Sequence, residues 1–332
     1  MRTHIKILNF LIIISSILVF TSCGPQNMTE QVEDLIQSDN IKERKQIAYA
    51  LADSLDIMAS EILIKSYDRK VSEIKTKNRI IAALKNMLTR YSEIENESTH
   101  TSIDKCITYI TNPSEVHSIS NEEKINLIIY GLKIKNSSKS YKKSLVNSAK
   151  NHGNNAMIEI INQWNRNKNS KELLYAINLY QNKAINYLSG NIVEDKNAIE
   201  LLARIGEPAV NSMKKKMRSS QQSVRFAAGD VLVEMLKYHP NAIDNLTSAI
   251  NNNGVKTIAE NYPFYIRLGQ GGTENILLKA LRQNFTIKMC EDYLNCGSKI
   301  LDEGATSIAY DYGYIITPGF GTHYGPKWGS GN

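Results

Sequence analysis

Residues 198–210 read AIELLARIGEPAV, and residues 224–242 read VRFAAGDVLVEMLKYHPNA. In the first stretch Ala198, Ile199, Leu202, Ala203 and Ile205 recur at three and four, so they share one helical face. Gly206 can take a positive φ and end that helix. Pro208 then opens another, where its missing N–H costs nothing. Val210, Met213 and Met217 form the apolar stripe of this next helix. In the second stretch Val224, Ala227, Ala228, Val231, Leu232, Met235 and Leu236 line one face. His239-Pro240 stops it, because proline disfavours a helical residue before it. A further helix is expected from Ala242 to Ile250. Pro208 and Pro240 lie 32 residues apart, each between a first and a second helix. Helical pairs recurring at that length predict an α-solenoid.

Working outward, the pattern from Met28 to about Tyr310 is helical almost throughout, with little strict alternation. The segment 198–210, with its small-residue helix and Gly-x-Pro turn, resembles a HEAT repeat. So does 224–232, with its Val-Arg-x-x-Ala start. The close resemblance covers about 195–255. Weaker echoes stand at 43–53 (ERKQIAYALAD) and 78–84 (NRIIAAL), whose Arg44 and Arg79 are 35 residues apart. Between 120 and 195 the helices continue without the motif. The expected fold is all-α, a solenoid of HEAT-like repeats over 31–312. Resemblance to that family implies an interaction scaffold and no catalysis.

The last 20 residues change character. Residues 313–332 hold six glycines, with Tyr314, Phe320, Tyr324 and Trp328 interleaved. This Gly/aromatic tail can bind a partner, with Tyr324 and Trp328 as its contact residues. It can also cover the apolar edge of the last repeat, which terminal repeats need. The sequence favours the covering role.

The N-terminus carries an address. Arg2 and Lys6 precede an apolar run from Phe10 to Phe20 that is too short to span a bilayer. Phe20-Thr-Ser-Cys23-Gly24 then resembles a bacterial lipobox, which implies a signal peptide over 1–22 and acylation of Cys23. Residues 23–30 read as a polar tether. The implied location is the cell envelope, anchored at the outer membrane and facing the periplasm. The implied partners are the membrane, through acylated Cys23, and an envelope protein or peptide. Nucleic acid is disfavoured by export.

The chain of 332 residues has a net charge of +7, which falls to +5 without residues 1–22. Residues 121–226 hold 18 basic and 8 acidic residues, the only basic third. Its densest run is Lys214, Lys215, Lys216 and Arg218. This run suits an anionic lipid, glycan or acidic protein, or simply the polar face of a surface helix. An enzyme whose site is assembled from dispersed residues is the remaining alternative. No zinc spacing, HExxH, P-loop or Gly-x-Ser-x-Gly appears, and no cofactor is expected. The loop at 269–273 (GQGGT) lacks the Lys-Ser/Thr of a phosphate cradle and reads as an inter-helix turn. Besides Cys23 there are Cys106, Cys290 and Cys296. An oxidising compartment permits a Cys290–Cys296 disulfide, with buried thiols as the alternative.

Overall fold

The computed structural model describes residues 25–69, 73–112, 119–242, 254–317 and 325–330. Among the described residues there are seventeen α-helices and no strand. The chain divides into two compact units, Met1–Tyr180 and Gln181–Asn332.

The first unit contains α1 (Pro25–Gln37), α2 (Ile41–Asp53), α3 (Ile57–Arg69), α4 (Ile74–Ile94), α5 (His100–Thr111), α6 (Asn121–Leu132), α7 (Lys139–Asn151), α8 (Asn154–Arg166) and α9 (Lys171–Leu179). Each helix packs on its successor and on the next but one: α2 on α4, α3 on α5, α4 on α6, α5 on α7. Odd helices thus stack on odd and even on even, the two-layer arrangement of an α-solenoid. The core lies between the layers. In α4 it is supplied by Ile80, Ala83, Leu84, Met87, Leu88 and Tyr91, all buried at helical spacing.

Successive helices run in opposite directions, so the turns alternate between two edges. Arg79, near the start of α4, donates to the carbonyls of Ile36 and Gln37 at the end of α1. The His152 ring bonds the Thr111 carbonyl at the same edge (2.6 Å). At the opposite edge, Ser140 of the α6–α7 turn region donates to Glu95 of the α4–α5 turn (2.8 Å). Lys133 likewise reaches Gln163 near the end of α8 (2.7 Å). Since α1 ends beside the start of α4, its own start lies toward that opposite edge.

The second unit contains α10 (Asn182–Gly190), α11 (Lys196–Ile205), α12 (Glu207–Lys216), α13 (Gln222–Tyr238), α14 (Val255–Leu268), α15 (Glu274–Gln283), α16 (Ile287–Asn295) and α17 (Lys299–Asp311). Here α10 packs on α11 and α12, α11 on α13, α13 on α14, and α15 on α17. The repeat punctuation acts as its chemistry requires. Gly206 sits at positive φ between α11 and α12, with Pro208 in the first turn of α12. Pro240 ends α13 in a single 3-10 turn. The helix expected over 242–250 lies outside the described residues beyond Ala242.

Two expectations are corrected. Residues 25–30, assigned to a tether over 23–30, are the first turns of α1. Proline suits a helix start, and Met28, Val32, Leu35 and Ile36 bury a helical stripe against α2, α3 and α4. The disulfide is also absent: Cys290 and Cys296 are free buried thiols. Cys290 points across to the Ala305 carbonyl of α17, whereas Cys296 turns back to the Tyr293 carbonyl of its own helix. Short sequence spacing did not aim the two sulfurs at each other.

Candidate functional site

Lys214, Lys215 and Lys216 form the last turn of α12, and Arg218 follows the C-cap residue Met217. Lys215 and Arg218 are exposed and Lys214 and Lys216 half-buried. Cations there face the partial negative charge of the helix C-terminus, which gives the run a local stabilising role. Cys23 and Tyr324 lie outside the described residues.

Trp328 belongs to a tail turn pinned to the second unit. Its backbone N–H donates to the Cys296 carbonyl (2.8 Å), and the Gly329 N–H donates to the Ile266 carbonyl (2.9 Å). The turn therefore closes over the ends of α14 and α16. It comes so near Gly269 that a Cβ there would lie inside 3 Å of Gly329 backbone atoms. At the end of α17 Tyr312, and at the start of the tail Tyr314, stack on Phe285, with ring centroids 4.3 and 5.4 Å away.

The Val-Arg start of the repeat has a mechanical role that its charge conceals. Arg225 in the first turn of α13 folds back to donate to the carbonyls of Ser219 and Ser220 (2.9 and 3.1 Å). Arg44 in α2 does the same to Ser38 (2.7 Å). Both reach six residues back into the preceding inter-helix turn. The repeat-like arginines thus satisfy turn carbonyls that a neighbouring helix would otherwise leave unpaired.

Buried ionisable groups are engaged in structural bonds. The Asp292 side chain, 2 % exposed, accepts from Lys288 Nζ (2.6 Å) and Tyr262 Oη (2.5 Å). Burial, then the Asp292 carboxylate, pushes the Tyr262 phenol well up. Glu95, also 2 % exposed, accepts from Ser138 and Ser140 and pairs with His100 (2.9 Å). Burial raises the thiols of Cys106, Cys290 and Cys296. A thiol held protonated is a poor nucleophile. Among the described residues no group of three His, Cys, Asp or Glu is placed to hold a metal ion, and no helix is long and apolar enough to cross a membrane. An open polar cleft of about 370 Å³ lies between the α2–α3 turn and α5, lined by Ser54, Asp56, Ser102 and Lys105. Asp56 Oδ1 there already accepts the Met58 N–H (2.9 Å).

A stronger charge feature lies elsewhere than the run at 214–218. Residues 133–143 contain five lysines and no acid. They occupy the α6–α7 turn and the first turns of α7. Lys133, Lys135, Lys139 and Lys143 are exposed. The α8–α9 turn at the same edge adds exposed Arg166 and Lys171. The nearby acids are engaged: Glu95 as above, Glu159 with Gln163 (2.9 Å) and Arg166 (3.8 Å), and Glu172 with Ser170 (3.3 Å). These lysines belong to the basic third at 121–226 but are spaced through a turn, unlike the contiguous run at 214–218.

No family profile matches the chain, and no curated protein does. Among solved structures, a designed armadillo repeat protein superposes on 86 % of this chain and 98 % of its own, at 13 % identity and a TM-score of 0.24. Two engineered proteins superpose on 85 % and 86 % of this chain and on 77 % and 96 % of their own, at 13 % and 14 % identity, with TM-scores of 0.20 and 0.17. The fold assignment rests on the helix order and layered packing of each unit.

Proposed function

We propose that this protein is a bacterial cell-envelope scaffold, held at the membrane through acylated Cys23, that binds a protein or peptide partner along HEAT-like repeats. The observation that carries the reading is the packing order. Each unit layers helix on next-but-one helix, which presents a repeated surface along the stack, the geometry used by extended binding proteins. The reading assigns no catalysis and no cofactor. Its buried carboxylates Glu95 and Asp292 are engaged by hydroxyls and Lys288, and its buried thiols and phenols are held protonated. The exported location disfavours nucleic acid. The tail turn at Trp328 serves as a cover for the helix ends it bonds.

The test is site-specific photo-crosslinking in intact cells, with the probe at exposed helix positions of both units. One envelope protein captured from several positions, and still captured after truncation beyond Tyr312, is the expected result. Capture only from the tail would make the tail the binding element and overturn the scaffold reading. The anchor is tested by fatty-acid labelling: label on the natural chain and none on Cys23→Ala is expected, and an unlabelled natural chain refutes it.

A further inference from the structure

We propose that the lysine-rich edge of the first unit is a second membrane contact, set on anionic lipid headgroups along the stack from the Cys23 anchor; this rests on the anchored reading above. The first argument is position. Helix α1 begins at Pro25, so a single residue, Gly24, separates Cys23 from a helix. An anchor at Cys23 therefore leaves little slack to hold the first unit away from the bilayer. The start of α1 shares its edge with the α6–α7 and α8–α9 turns, because α1 ends beside the start of α4. An anchored chain thus turns Lys133, Lys135, Lys139, Lys143, Arg166 and Lys171 toward the bilayer side.

The second argument is chemistry. Lysine ammonium groups on flexible stems suit a fluid layer of phosphates, where no fixed bidentate geometry is on offer. The same edge changes sign along its length. Nearer the anchor, the α2–α3 and α4–α5 turns expose Asp56 and Glu97. Asp53 and Glu93 there are both held by Arg90 (2.7 and 3.2 Å). The acidic end gains nothing from anionic lipid and needs the acyl chains to hold it down. The basic end lies farther along the stack and gains from anionic headgroups directly. Membrane attachment through an acyl anchor combined with a basic patch is the general two-signal arrangement.

The test uses the mature-length chain, residues 23–332, with Cys23→Ser so that no acyl group contributes. It retains every described helix. Sedimentation is measured with phosphatidylcholine vesicles and with vesicles containing phosphatidylglycerol. Binding is expected only to the anionic vesicles and should weaken as salt rises. The triple variant Lys133→Gln, Lys135→Gln, Lys139→Gln should lower the partition coefficient on the order of 100-fold, from the usual gain per lysine at an anionic surface. The matching triple Lys→Arg variant should keep binding, which separates lost charge from lost fold. Lys256→Gln, Lys279→Gln and Lys299→Gln together remove the same charge from the second unit and should have little effect. Equal binding to neutral vesicles, or equal loss from either Gln triple, overturns the proposal. So does binding to an acidic polypeptide with none to anionic vesicles, which would assign the edge to an acidic protein partner. Acylation does not enter this assay. A failed vesicle test with Cys23 labelled in cells refutes the second contact alone, and an unlabelled Cys23 refutes the anchor alone.

Discussion

Gly269→Ala should release the tail while leaving the helices of the second unit folded. Gly269 has φ +60°, and the tail backbone at Gly329 lies against the space a Cβ would fill. A left-handed alanine costs about 1 kcal/mol by itself. The larger effect is steric, because the obstacle is backbone and cannot swing aside as a long side chain would. The described turn is held by two backbone hydrogen bonds, Trp328 to Cys296 and Gly329 to Ile266. At about 1 kcal/mol net each, they keep the turn docked by a factor of roughly thirty. An overpacking penalty of about 2–3 kcal/mol is enough to cancel that preference and leave the turn undocked in half or more of the molecules. The comparison is Gly272→Ala. Gly272 has φ +92° in the same loop, but nothing lies within 4 Å of its missing Cβ. It bears a comparable backbone cost without touching the tail. With Trp164→Phe as background, Trp328 is the sole tryptophan. Gly269→Ala should shift its emission to the red and speed tryptic cleavage after Lys327, with unchanged far-UV circular dichroism. Gly272→Ala should do neither. Unchanged emission and cleavage in Gly269→Ala, or the same change in both variants, would refute the reasoning.

Three further outcomes are expected. Gly229→Ala should lower the melting temperature of the second unit, because its Cβ would lie inside 3 Å of the Phe264 ring; overpacking of about 1–3 kcal/mol exceeds the helix-propensity gain of about 1 kcal/mol, and Phe264→Leu should recover part of the loss. Arg225→Ala should cost about 2 kcal/mol in urea unfolding, since it strips two charged bonds from the Ser219–Ser220 turn; Arg44→Ala, with one such bond to Ser38, should cost less, and equal losses would contradict the bond count. Burial lowers the His152 pKa in the folded chain, so the unfolded chain takes up the proton first and stability falls as pH drops below the ordinary histidine value of about 6.5; His152→Gln should flatten that fall between pH 7 and 5, and parallel stability curves would count against it.

The legible parts of the fold were those decided locally. Helix α11 ends and α12 begins where Gly206 and Pro208 require it, and α13 stops at His239-Pro240, because both signals act within a few residues. The start of α1 was hidden for the opposite reason. Residues 25–30 are mostly polar, and only Met28 among them is apolar, so their helix depends on packing against α2, α3 and α4. The division after Tyr180 was hidden too. Gln181 has φ 49° there, a conformation usually marked in sequence by glycine. Arg225 read as a polar residue off the apolar face, yet its side chain is only 13 % exposed and holds the turn behind it. Periodicity assigns a residue to a face but gives no account of where a long side chain goes.

The candidate surface was legible in sign but not in place, and the reason is parity. In an up-and-down stack a turn's edge depends on how many helices precede it. Counting from α1, the turn after α6 falls on the edge where α1 begins, and the turn after α5 falls on the other. Without α1 the first helix would be α2, and the lysines at 133–143 would sit on the edge opposite the start of the stack. The same residues would then face away from a membrane anchored at Cys23. Helix α1 therefore decides which side of the first unit is basic relative to the anchor, and that placement turns a charge count into a surface with a direction.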